Sequence, residues 1–162
     1  MDAVMLLAVD AAHEEPQRHV AAAIDMVRDL ASKTGDRVIV LHVHEFAVGR
    51  FGRIQIDCAD GEGELLASGA ANRLRDAGVR AEAEIKEADY GHVARAIVAA
   101  ADRHDARLLV LGSSTRRDLP LIPFGSTAAR VLHLSKRPVL IVPMQPDRPA
   151  GAKTQAEPAT AG

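Results

Sequence analysis

The chain is poor in aromatic residues: among its 162 positions there is no tryptophan, one tyrosine and three phenylalanines. That scarcity removes the platforms on which proteins stack unpaired bases. Neither sign of charge dominates, since 20 Lys and Arg face 22 Asp and Glu, interspersed along the chain for a net charge of −2. No field therefore draws the protein to nucleic acid or to an anionic membrane. Cysteine occurs once, as Cys58, which rules out an intramolecular disulfide framework and fits a reducing compartment; Cys58 itself is read as an ordinary residue. Long apolar runs are missing as well. The stretch Ala3 to Val9 spans 7 residues, follows Asp2 and has no basic segment before it, which is too short for a secretory signal. Nothing approaches the roughly 18 apolar residues of a membrane span. The expectation is a soluble, cytoplasmic protein without nucleic-acid or membrane partners.

What the sequence does hold is 48% hydrophobic content, mostly Ala, Val, Leu and Ile, enough for one domain with a sizeable core. Val4 to Val9 and Arg37 to Val43 are continuous apolar runs, the pattern of strands buried on both faces of a parallel sheet. Between them Pro16 stands where a first-turn proline belongs, Val20, Ile24, Val27 and Leu30 recur at helical spacing, and Gly35 ends the helix. Leu66, Ala70 and Leu74 mark a second helix closed by Gly78. Val79 to Ile85 alternates apolar and charged residues, as an edge strand does, and Asp89 is placed to cap a third helix carrying Val93 and Ile97. Leu108 to Leu111, a helix over Ser126 to Ser135 and the run Pro138 to Pro143 complete the alternation. The prediction is an α/β fold: one doubly wound domain over residues 1–143 with a parallel sheet and right-handed crossovers. Glu45 to Gly61 reads as a long loop whose glycine-containing turns favour mobility. From Met144 to Gly162 the apolar period vanishes, so this tail is expected to be disordered. No internal repeat is found.

In open parallel sheets ligands bind beyond the carboxyl ends of the strands. Three polar features fall at such ends: Asp10, the segment His42 to Glu45, and Gly112-Ser113-Ser114-Thr115. The last leads through "RRDLPLIPF" to Gly125-Ser126-Thr127, where a helix begins. Small residues that let the backbone approach a ligand, followed by a helix N-terminus, suit a phosphate group. The same residues equally fit a plain strand end with Ser114 or Ser126 capping a helix. Arg116 and Arg117 stand close enough to the loop to meet phosphate oxygens, and Pro120 and Pro123 stiffen it. Asp10, at the end of an apolar strand, needs a partner such as a ribose hydroxyl or a helix N-terminus. His42 and His44 share one face of a strand, a spacing two metal ligands can use, but no third ligand is evident and no metal site is expected. A Walker-type loop, a nucleophile elbow and a paired acid and base are all missing, so no efficient catalysis is expected.

The pattern Gly112-x-x-Thr115, nine residues, Gly125-Ser126-Thr127, running into "AARVLHLSKRPVLIVP", resembles the signature of the universal stress protein family. The resemblance extends to "VMLLAVD" at the start and "VIVLHVHE" in the second strand. It implies a five-stranded parallel sheet of order 3-2-1-4-5 and a site for an adenine nucleotide, ATP with Mg²⁺. In that site Asp10 and Val43 contact the nucleoside and Gly112, Gly125 and Ser126 the phosphates, with Ser113 and Thr127 as neighbours. It further implies a homodimer through the fifth strand, to which the edge-strand run Val139 to Val142 is suited. Thr115 departs from the family's pattern, which has glycine there. If that position needs a positive φ, the β-branched residue costs about 1–3 kcal/mol, or roughly one to two decades of affinity. The function expected is a regulatory, stress-response nucleotide-binding module. Two alternatives stay open: a family member working by protein association without nucleotide, and a slow ATPase or phosphotransfer enzyme using His13 or His44 as base.

Overall fold

The computed structural model describes residues 3–11, 16–113 and 125–143. The elements run β1 (Val4–Val9), α1 (Pro16–Thr34), β2 (Arg37–Gly49), β3 (Gly52–Gln55), α2 (Glu62–Asp76), β4 (Ala81–Asp89), α3 (Val93–Arg103), β5 (Ala106–Ser113), α4 (Ser126–Leu134) and β6 (Val139–Pro143). Five of the strands form a parallel sheet in the order β4-β2-β1-β5-β6. This is the expected 3-2-1-4-5 arrangement once the additional strand β3 is set aside.

The apolar runs of β1, β2 and β5 are central because their side chains are buried on both faces, which only a sheet covered twice can satisfy. Alternation then divides them. Met5, Leu7, Val9, Val38, Val40 and Val110 pack with Val27 of α1 and Leu74 of α2 on one face. Leu6, Ile39, Leu41, Val43, Leu109 and Leu111 pack with Ile97 of α3 and Val131 of α4 on the other. Alanine dominates the helix faces, as in Ala67, Ala70, Ala71, Ala100 and Ala101, so the helices lie close to the sheet. Gly35, at φ +73, ends α1 in the left-handed conformation that a β-carbon disfavours.

Three expectations are corrected. The sheet has six strands and is mixed, because β3 pairs antiparallel with the end of β2 from Phe46↔Gln55 to Gly49↔Gly52. Glu45 to Gly61 is accordingly a hairpin for much of its length instead of a mobile loop: a tight turn at Arg50-Phe51 folds the chain back, with Gly52 at φ +122. Its apolar residues Val48, Phe51 and Ile54 are exposed, so no buried face announced it. Asp89 does not cap α3. It pairs with Phe46 as the last residue of β4, and the cap position falls to His92 after a turn at Gly91. The tail from Met144 lies outside the described residues.

At the edge, β4 is tied to the end of α3 by Glu84, whose carboxylate meets Arg103, His104 and Lys86. Burial pushes this carboxyl up, but the His104 hydrogen bond, Lys86 and Arg103 outweigh it, and the net pKa is lowered. A carboxyl held below its unfolded value stabilises the fold above that value and loses the contribution as pH falls through the folded pKa. We therefore expect Glu84→Gln to flatten the acid limb of stability between about pH 6 and pH 3. Urea unfolding of both proteins across that range checks it; parallel curves would contradict the assignment.

Candidate functional site

β1 is where strand order reverses, with β2 and β4 to one side and β5 and β6 to the other. Beyond the carboxyl ends of β1 and β5, and beside the middle of β2, the chain leaves a cavity of about 270 Å³, at the position open α/β sheets use for ligands. Asp10, Val43, Gly112, Ser113, Gly125, Ser126 and Thr127 all line it. Thr115 lies outside the described residues, as do Ser114, Arg116, Arg117, Pro120, Pro123 and His13.

Each element contributes in its own way. Val43 is buried on the face of β2 turned to α3 and α4, and with Leu41, Leu111 and Ile97 gives the cavity an apolar wall. Asp10 follows the last residue of β1 and is exposed at the mouth. Gly125 precedes α4 at φ 72, ψ 158, a region that essentially only glycine occupies. No described side chain caps α4, and its first turn has no acidic residue. The first N–H groups of α4 and the positive end of its dipole thus stand beside the cavity, an arrangement that accepts an anion.

Behind the cavity is a polar cluster that sequence reading did not assemble. His42 and His44 do share one face of β2, turned toward α2, and their rings meet edge to face with centroids 4.8 Å apart. They are not at a strand end, since β2 runs on to Gly49, and both are buried. Asp57 Oδ2 lies 2.9 Å from His42 Nε2 and 3.2 Å from His44 Nδ1, and Cys58 Sγ approaches the same oxygen at 3.2 Å. Asp57 Oδ1 accepts the backbone N–H of Glu45 at 3.0 Å. On the far side of each ring His42 Nδ1 donates to the Val9 carbonyl (3.1 Å), and His44 Nε2 faces Glu64 Oε1 (3.0 Å).

Burial acts on every titrating member of this cluster, yet its neighbours decide the outcome. It opposes charge on His44, but Glu64 and Asp57 outweigh it and raise the pKa. It opposes charge on Asp57 too, but the thiol, the Glu45 N–H and the imidazoles hold that carboxyl below its ordinary value. At Cys58 burial and the Asp57 carboxylate act together and push the thiol up to about 11. Gly63, in the first turn of α2, is the residue the imidazoles press against: a Cβ there would lie 2.7 Å from His44 Cε1 and closer still to His42.

The sequence model of the universal stress protein family matches residues 3–143. The chain belongs to the universal stress protein family. Among solved structures it is similar to a universal stress protein from Archaeoglobus fulgidus, with TM-score 0.68 and 24% identity over 88% of this chain and 99% of that one. It is also similar to the universal stress protein from Archaeoglobus fulgidus in complex with dAMP, with TM-score 0.61 and 23% identity over 86% and 97%. A third similar structure is a universal stress protein family protein from Arabidopsis thaliana with AMP bound, with TM-score 0.65 and 22% identity over 91% and 98%. No curated protein matches the chain by sequence.

For this universal stress protein, the residues gathered from strand ends line the cavity, Glu45 of the His42 to Glu45 segment is placed there too, and Asp57 was missed. Its signal was weak, because it belongs to a segment read as a loop. The glycine before α4 generates a prediction. Gly125→Ala places a β-carbon at φ 72 and is expected to destabilise the fold by about 1–3 kcal/mol. Equilibrium unfolding checks this, and a variant as stable as wild type would show that the loop reaches α4 by another path.

Proposed function

We propose that this universal stress protein is a regulatory module of stress response that binds an adenine nucleotide, ATP with Mg²⁺, in the cavity at the carboxyl ends of β1 and β5 beside β2. The observation that carries the reading is the convergence of Asp10, Val43, Gly112, Ser113, Gly125, Ser126 and Thr127, from the ends of β1 and β5, the middle of β2 and one helix start, on a single cavity. The dAMP and AMP complexes of the two similar proteins support adenine as the base.

In this reading Val43 and the apolar wall hold the adenine, and Asp10 accepts hydrogen bonds from ribose hydroxyls. The N–H groups at the start of α4 and the backbone at Gly112 and Ser113 take the phosphates, where the helix dipole favours negative charge. Mg²⁺ enters with the triphosphate. Hydrolysis forms no part of the reading, which is one of binding and regulation in the cytoplasm. The assembly proposed is a homodimer through β6, which among the described residues is the edge of the parallel sheet and so a place where a second copy can add a strand.

The test is calorimetry of Mg-ATP binding to wild type and to Asp10→Ala. Removing a charged hydrogen-bond acceptor is expected to weaken binding about 10- to 100-fold. Equal affinities would remove Asp10 from the site, and no binding by wild type at millimolar nucleotide would overturn the reading.

A further inference from the structure

His42, His44, Asp57 and Cys58 offer four ligand atoms that all lie within 4.8 Å of one another. From this geometry we propose that His42 Nε2, His44 Nδ1, the Asp57 carboxylate and Cys58 Sγ bind one divalent transition-metal ion of the zinc type. The site is separate from the nucleotide reading and stands or falls without it.

The hydrogen bonds orient the ligand atoms inward. A carbonyl oxygen only accepts, so His42 Nδ1 carries the proton it gives to Val9, and in the neutral ring Nε2 is a bare lone pair. That lone pair points at the Asp57 carboxylate, which is also an acceptor. His44 repeats the arrangement, with Nε2 against the Glu64 carboxylate and Nδ1 against the same Asp57 oxygen. The two ring nitrogens and the Cys58 sulfur all meet one carboxylate that is 7% exposed, and a divalent cation can engage all four groups together. The outer partners, a backbone carbonyl and a carboxylate, are those that orient metal-bound histidines.

The donor set is two imidazoles, one carboxylate and one thiolate, which matches tetrahedral zinc. Ligand atoms on a zinc with bonds of about 2.0–2.3 Å stand about 3.3–3.8 Å apart. The pairs around Asp57 Oδ2 and the 3.9 Å from Cys58 Sγ to His42 Nε2 bracket that range. The remaining adjustment is about 1 Å or less. Gly63 leaves room for both rings. Gln55 Nε2, 3.0 Å from His44 Nδ1, is the donor that a cation displaces, and the thiol gives its proton to solvent on coordination. The ion would tie β2 and the segment after β3 together beneath α2, beside the cavity wall that Asp57 shares.

The experiment uses the full chain, stripped with a chelator, kept reduced with a phosphine and titrated with Co²⁺ alone. One equivalent is expected to bind, with intense tetrahedral visible bands and a thiolate-to-cobalt band in the near ultraviolet, and Zn²⁺ should displace it. Cys58 is the only cysteine, so that band reports on this residue even if Cys58→Ser fails to fold; if the variant folds, the band should vanish. Glu64, half-exposed on α2, is a positioning residue. Glu64→Ala is expected to keep the fold and the band while weakening cobalt binding about 10- to 100-fold. No uptake at millimolar cobalt, a weak octahedral spectrum without the thiolate band, or an affinity indifferent to Glu64→Ala would overturn the proposal.

Discussion

β1 is hydrogen-bonded along both edges, to β2 on one side and to β5 on the other, with Val4 through Ala8 in both ladders. Both neighbours are parallel to it, so each connection must cross a face of the sheet, and right-handed crossovers send the chain over opposite faces on the two sides. The strand order therefore reverses at β1, with α1 and α2 on one face of the sheet and α3 and α4 on the other. A hollow at that point is a consequence of topology before any functional residue is considered. The double burial of β1, with Leu6 and Leu7 fully inaccessible, is what fixes it there.

The side-chain alternation of β2 then assigns two different jobs to one strand. Val43 turns to the α3 and α4 face and joins the apolar wall of the cavity, while His42 and His44 turn to the α2 face. Asp57 belongs to both places, lining the cavity and anchoring the imidazoles. Two glycines at helix starts serve unlike purposes. Gly125 is demanded by its backbone angles, and Gly63 by the nearness of two rings to its α-carbon.

The parallel core was legible because it is written in unbroken runs such as "VMLLAV" and "RVIVLHV", which periodicity detects within a few residues. Helix ends at Gly35 and Gly78 were legible for the same local reason, since both take positive φ. The hairpin of β2 and β3 was not. Its outer residues Val48, Phe51 and Ile54 are exposed, so it has none of the half-buried alternation that marks a strand. Asp89 misled because its side chain suits a cap while its backbone is held in the ladder opposite Phe46. The residues lining the cavity could be gathered from strand ends and one spaced motif. The histidine cluster could not, because Asp57 and Cys58 come from a bend whose path depends on that hairpin, and no sequence spacing encodes how far it folds back.

The proposed occupant of the hollow beside β1 is an adenine nucleotide. The most direct measurement is a titration of the protein's backbone amide NMR spectrum with Mg-ATP. Nucleotide in the hollow should give saturable shifts concentrated at Val43, Gly112, Ser113, Gly125, Ser126 and Thr127, with the far ends of the strands unmoved. Shifts that map to another face, or an unchanged spectrum at millimolar nucleotide, would contradict it.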